Sequence, residues 1–321
     1  MRPLRVGILT SPSPRAVRPE SPAAVERAID RRSAQDLGCA ISAAGHEPTV
    51  IEVARAEDLP SHPKIARVDL CLVAAHGSLG GTGALAAMLA RLGIPYCAPT
   101  PEATALAFDK ASARARLAQH GLPVPTTVLL EKDTPPPARS LALLGWPCVA
   151  KPRRGAHGLH VTGLYDKDAV ERFAAAPPDE DFLLERCVEG LEVQVVLLGG
   201  RVLGAMEVHR GLENGGAMMV CPPQLGTVAL DGVYTLARRA ARALDLCTGP
   251  VRVDVLCSPR DNESILEVEP LPPLHRDGVV ARVAHAAGLP YERLVASLLD
   301  HLALPARPTA AIDALGAYAP S

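Results

Sequence analysis

Two short stretches near the C-terminal end hold the densest concentration of groups able to do chemistry. Arg252-Val253-Asp254 and Leu266-Glu267-Val268-Glu269 both lie in apolar, β-branched surroundings that read as strands, and side chains two apart in a strand share a face. Glu267 and Glu269 therefore point the same way and can meet Asp254 from a neighbouring strand. Three carboxylates on one face repel one another unless cations sit among them, and hard oxygen donors of this kind suit a magnesium ion bridging nucleotide phosphates. The plainer reading is a solvated strand face of alternating charge. Arg252 shares the face of Asp254, where it would either contact a developing oxyanion or pair with the carboxylates themselves.

A second group is Lys151-Pro152-Arg153-Arg154-Gly155-Ala156-His157-Gly158. A lysine closing a strand, followed by a loop containing Gly155 and Gly158, can hold phosphates with a point charge and backbone N–H groups. A Lys-Pro turn followed by glycines is also ordinary hairpin chemistry, so this stretch alone leaves both readings open.

The elements that must position these residues follow from pattern. Val6-Gly7-Ile8-Leu9-Thr10 reads as a buried strand ended by Ser11-Pro12-Ser13-Pro14, and helical spacing from about Ala24 to Ala44 ends at Gly45 as at a C-cap. Thr49 to Val53 and Val68 to Ala74 read as two more strands, the latter leading through His76-Gly77 and Gly80 to Gly83 into a helix over Ala84 to Leu92. This alternation predicts a parallel sheet covered on both faces. Further on, the pattern predicts one helix from Glu102 to Gly121 carrying Asp109 and Lys110, strand pairs around the Lys151 loop, and a hairpin at Gly199-Gly200. Val233 to Leu244 reads as a helix and residues 279–303 as closing helices, with a loosely held end from about Pro305.

A chain of 321 residues is long enough for two or three packed subdomains. Its formal net charge of -2, without a long run of one sign, lacks the footprint of a nucleic-acid or anionic-membrane partner. No stretch approaches the roughly 18 to 20 apolar residues of a membrane span, and Met1 to Val6 runs into strand pattern without a cleavage site, so a cytoplasmic location is expected. The eight cysteines are scattered singly and read as small buried apolar residues rather than metal or disulfide partners.

Taken in order, these pieces resemble the D-alanine–D-alanine ligase branch of the ATP-grasp superfamily, over about Val68 to Val295. His76-Gly77 with Gly80 and Gly83, then Ile94-Pro95-Tyr96, is similar to the family's His-Gly loop and Ile-Pro-Tyr strand. By the resemblance Lys110 and Lys151 contact ATP phosphates, Glu185 and Val188 lie in the linker whose backbone reads adenine, and Glu192 takes the ribose. Asp254, Glu267 and Glu269 then fall on the magnesium ligands and Arg252 on the oxyanion-stabilising arginine. The implied fold is α/β (α+β): a parallel α/β domain over 1–100, a central ATP-grasp subdomain over 101–182, and a C-terminal ATP-grasp subdomain with the metal site over 183–321. The implied activity is ATP- and magnesium-dependent joining of a carboxylate to an amine through an acyl phosphate, on small amino-acid-like substrates, in a homodimer. The alternative is a nucleotide-binding relative that has lost turnover and acts by protein interaction; a third is phosphoryl transfer without ligation.

The departures cluster around substrate recognition. Where the family has an acid near the start that captures the first amino group, this chain has Ser11 to Pro14 and an insertion, and Glu20 or Glu26 would stand in only by chance. Ala156 and His157 replace paired serines of the phosphate loop. The lid is replaced by a shorter glycine-rich run, Glu207 to Gly216, in which Arg210 or His209 would reach the γ-phosphate. Glu269 stands where the family has asparagine, and Arg276 or His275 would meet a substrate carboxylate.

Overall fold

The computed structural model describes residues 2–12, 21–132, 134, 136–155, 160–175, 179–210, 217–258 and 263–303. Gly158, Ala156, His157, the run from Gly211 to Gly216 and the end beyond Pro305 lie outside the described residues.

The first sheet is built from β1 (Arg5–Thr10), β2 (Glu47–Glu52), β3 (Leu70–Val73) and β4 (Tyr96–Cys97), all parallel in the order β2-β1-β3-β4. β1 is buried from Val6 onward, as the central strand of a sheet covered on both faces must be. Helix α1 (Pro22–Ala43) starts where the Ser21 hydroxyl accepts from the Ala24 N–H at 3.3 Å and Pro22 takes a position that needs no N–H partner. α2 (Gly77–Gly81) and α3 (Ala84–Arg91) follow β3.

The expected helix from Glu102 to Gly121 is two helices, α4 (Pro101–Phe108) and α5 (Lys110–Gln119). Asp109 breaks it. Its backbone is extended (φ -83°, ψ 96°), its carboxylate caps the Ser112 N–H at 3.0 Å, and it bridges to Arg154, so the chain restarts a helix with Lys110 as its first residue.

The middle sheet is antiparallel, in the order β5-β8-β6-β7, from β5 (Thr127–Leu130), β6 (Cys148–Pro152), β7 (Thr162–Leu164) and β8 (Phe182–Arg186), with α6 (Ala138–Leu144) and α7 (Lys167–Ala175). It runs on to Arg186 rather than ending at 182. The third sheet has the order β11-β10-β9-β12-β13, from β9 (Leu191–Leu198), β10 (Arg201–Arg210), β11 (Ala217–Val220), β12 (Pro250–Cys257) and β13 (Ser264–Glu269). The β9–β10 hairpin turns at Gly199 and Gly200 with φ of 58° and 75°, the left-handed pair that a tight hairpin needs.

Packing joins segments distant in sequence. Val193, Val195, Val251, Val253 and Val255 form one apolar face of the third sheet under α8 (Thr227–Ala243), and Ala107, Ala113 and Leu117 of α4 and α5 join the same core. α9 (Val279–Ala286) and α10 (Tyr291–Ala303) return to the first sheet, where Val280, Val283, Leu294 and Leu298 pack with Val6, Ile8, Leu37 and Ile41. All eight cysteines are free; Cys71, Cys97 and Cys148 are buried as expected, whereas Cys39 and Cys247 are exposed. No helix among the described residues is long and apolar enough to cross a membrane.

Candidate active site

The face of the third sheet opposite its valine core is polar over part of its width, beside Val196, Leu198 and Met206, which pack toward the first sheet. Period-two alternation sets Glu192 and Gln194 of β9, Arg252 and Asp254 of β12, and Glu267 and Glu269 of β13 on it. The register puts Asp254 opposite Glu267 and Arg252 opposite Glu269. Arg252 donates two hydrogen bonds to Asp254, at 2.7 and 2.9 Å. Of the two readings open for Arg252, the ion pair is therefore the one present in this structure. Burial, with Glu267 and Glu192 nearby, pushes the Asp254 carboxyl up to about 6 even against Arg252. Glu269 is raised too, by burial and by Glu267, and accepts from the Leu271 N–H at 3.3 Å.

Both lysines converge on this face from other elements. Lys110, first residue of α5, donates to the Gly155 carbonyl at 2.6 Å and lies 3.2 Å from Glu267 Oε1. Burial would raise the Glu267 carboxyl, but Lys110, Lys151 and Arg252 outweigh it and hold it at about 2. Lys151, at the end of β6, meets Glu185 of β8 at 2.6 Å. Glu185 is buried and also takes a fork from Arg114 at 2.9 and 3.2 Å, so its carboxyl stays below the ordinary range despite burial. Arg114 donates further to the carbonyls of Ile265 and Leu266. Those carbonyls are presented where β13 slips register against β12 beyond Asp254, as at a β-bulge. Asp109 is bound by Arg153 and Arg154, at 2.9 and 3.0 Å, which ties the start of α5 to the loop after β6.

Glu192 sits at the other end of the face. It is buried and accepts from Gln194 at 2.8 Å and from Arg210 at 2.6 and 2.9 Å. Arg210, expected at a γ-phosphate, is thus held on Glu192; the strand pairing of Val208 with Glu192 brings β10 alongside β9 at this point. His209 instead contacts Glu207 at 3.1 Å. Val188 is half-buried in the connection from β8 to β9.

Sequence reasoning named Glu26 only as a chance stand-in, and the fold brings it to the His-Gly loop. A Cβ added to Gly77 would fall 2.3 Å from Glu26 Oε2, so the Glu26 carboxylate lies directly on that glycine, whose φ is +57°. Asp30, one helical turn on, accepts from the His76 N–H at 3.1 Å and meets His76 Nδ1 at 2.6 Å, both buried. The signal was the Glu26–Asp30 spacing of four, which puts both on one stripe of α1. Arg276 does not face the polar sheet: it is bound to Glu292 at 2.6 Å and lies over the Tyr291 ring at 4.6 Å. His275 is half-buried, and its Nδ1 is enclosed without a hydrogen-bond partner.

Lys110, Lys151, Arg210 and Arg252, interleaved with five buried or half-buried acids and drawn from α5 and the middle and third sheets, make a cleft suited to a polyphosphate and a divalent cation. The D-Ala-D-Ala ligase C-terminal family matches residues 117–300. A D-alanine–D-alanine ligase of Anaeromyxobacter sp. (strain Fw109-5) is 32% identical over 301 residues, covering 88% of this chain and 94% of that protein. The chain belongs to the D-alanine–D-alanine ligase family. It is an ATP-dependent ligase of that type, forming a peptide-like C–N bond, on the ATP-grasp fold. The D-alanine–D-alanine ligase of Bacillus anthracis complexed with ATP shares that fold, with a TM-score of 0.79 and 23% identity over 93% of this chain and 96% of its own. So does the VanG D-Ala:D-Ser ligase of Enterococcus faecalis, with a TM-score of 0.76 and 18% identity over 93% and 99%.

Among the described residues no three His, Cys, Asp or Glu side chains are gathered as a bound metal would gather them. Asp254 is turned onto Arg252 and Glu267 onto Lys110. The donor set itself fits magnesium: oxygen only, on one sheet face, with two of the three carboxylates directly opposed in register.

Proposed function

We propose that this chain joins two small amino acids, D-alanine being the first pair to test, through an acyl phosphate. The observation that carries the reading is the meeting of Lys110, Lys151 and Glu267, from α5, β6 and β13, about one point. Residues so far apart in sequence are brought together there with the charges that phosphoryl transfer uses.

Lys110 and Lys151 hold the phosphates, trading their carboxylate partners for phosphate oxygens. Asp254, Glu267 and Glu269 would hold magnesium, which supplies charge neutralisation on the transferring phosphoryl group. Glu192 accepts the ribose hydroxyls once Arg210 leaves it, and the backbone from Glu185 to Val188 faces the base. Glu26, seated on Gly77 beside His76, takes the ammonium of the first substrate. A carboxylate oxygen of that first substrate then bonds to the γ-phosphorus as the bond to ADP breaks. The second substrate's neutral amine attacks the carbonyl carbon to form the C–N bond, Arg252 steadies the resulting oxyanion, and its collapse expels phosphate as the amine gives up a proton to solvent. A homodimer in the cytoplasm belongs to the same reading; its support is the family resemblance.

The test is ADP release by the full-length protein with magnesium-ATP and a panel of single and paired amino acids of both hands. ADP formed in proportion to a dipeptide for at least one pair is the expected result. ATP binding with silence across the panel would overturn the reading.

A further inference from the structure

Helix α1 presents a second charged stripe. Glu26 and Asp30 face His76 and Gly77; Arg27 and Arg31 each follow by one residue, about 100° around the helix. They line a cavity of about 280 Å3 against the C-terminal ends of β1 and β2, with Thr10, Ser11, Gln35 and Glu52 also on its wall. The first sheet's topological switch lies between β1 and β3, since β2 and β3 flank β1 on opposite sides. The Glu26 stripe serves the β3 side, so the cavity beside β2 is separate from the candidate active site.

Three features make this a built site. Thr10 is only 3% exposed and lines the cavity, yet its Oγ1 has no hydrogen-bond partner; the enclosed Ser11 Oγ has none either. Buried hydroxyls left unmet are costly, so a ligand or solvent oxygen is called for at that point. Neither Arg27 nor Arg31 forms an ion pair among the described residues, although Arg27 lies close enough to Glu26 to lower its pKa. Against the single carboxylate of Glu52, two guanidinium groups leave the wall with a net positive charge. Guanidinium forks and hydroxyl donors together match a planar or tetrahedral oxyanion. The space of about 280 Å3 accommodates a compact metabolite.

We propose that this crevice is a second small-molecule site, for a compact ligand bearing a carboxylate or phosphate group. The experiment is calorimetric titration of the full-length protein, its nucleotide cleft saturated with magnesium and a non-hydrolysable ATP analogue, with inorganic phosphate in one arm and malonate in the other. Saturable one-to-one binding is expected for at least one probe; phosphate alone points to a phosphorylated ligand and malonate alone to a carboxylate. Arg31→Gln and Thr10→Val should each weaken that binding about tenfold or more, as loss of a charge-assisted or buried hydrogen bond does, while the affinity for the ATP analogue stays unchanged. Arg31 is exposed and Thr10→Val keeps shape, so both variants should retain the wild-type circular dichroism spectrum. No saturable binding of either probe to the wild type would overturn the proposal, as would binding that neither variant alters.

Discussion

Arg210 occupies both carboxylate oxygens of Glu192, at 2.6 and 2.9 Å, on the acid proposed to take the nucleotide ribose. The two partners differ in setting: Glu192 is buried, whereas the Arg210 side chain is 67% exposed and free to swing on its strand end. In the proposed mechanism ribose binding opens this pair. Glu192→Gln is therefore expected to raise the KM for ATP by about tenfold, the cost of a charge-assisted hydrogen bond, with a smaller change in kcat. Arg210→Ala should do the reverse, lowering kcat while KM for ATP falls or stays level, because it removes both the competitor for Glu192 and a cation for the phosphates. Steady-state kinetics in ATP decides; a raised KM in Arg210→Ala would contradict this role.

Arg114 joins α5 to two sheets through Glu185 and the carbonyls of Ile265 and Leu266. Arg114→Met would leave Glu185 with Lys151 alone and strand two buried carbonyls. Breaking a buried pair typically costs about 3–5 kcal/mol, so the urea midpoint should drop clearly and Lys151, drawn to Glu185, should serve ATP less well. An unchanged midpoint would show that the fork contributes nothing.

Gly77 is where a side chain would strike the Glu26 carboxylate. Gly77→Ala and Glu26→Gln should both raise the KM of the first amino acid, by about tenfold, while the affinity for ATP, measured by calorimetry, holds. A loss of ATP affinity of the same size would place Glu26 elsewhere in the mechanism.

Asp69 accepts from the Arg5 side chain and from its backbone N–H, which lowers its carboxyl from the ordinary 3.8 to about 2. A folded-state pKa below the unfolded one means stability that is present above about pH 4 and lost as pH falls toward 2. Asp69→Asn should thus lower the melting temperature at pH 7, and the gap to wild type should narrow as pH falls below 4. A gap that widened on acidification would reverse the sign of the argument.

Much of the site was legible because strands write it in period two. The face shared by Asp254, Glu267 and Glu269, with its alternation against Val253 and Val268, needed only spacing, and Lys151 stood out as the residue closing a strand before glycines. The break at Asp109 was not legible, since an aspartate between alanine-rich turns carries no proline or glycine, and the arginines that hold it, Arg153 and Arg154, lie in a later loop. Arg114 likewise carries no signal in the sequence, because its role depends on Glu185 and the slipped register of β13, which folding sets against it. Glu26 could be named only as a chance stand-in because its role depends on which stripe of α1 faces Gly77, a fact of packing rather than of pattern. Whether Arg252 pairs or stands ready could not be chosen from spacing, for both readings put it on the same face.

The most direct measurement is the rate of magnesium-dependent ADP release by Glu267→Gln against wild type, at saturating ATP and amino-acid pair. Glu267 is the acid on which Lys110 converges, opposite Asp254, and under the proposed mechanism removing its charge takes away a metal ligand worth several kcal/mol of transition-state stabilisation. The expected result is a loss of at least about a hundredfold, with an unchanged circular dichroism spectrum. Release at the wild-type rate would contradict the assignment of phosphoryl transfer to this face.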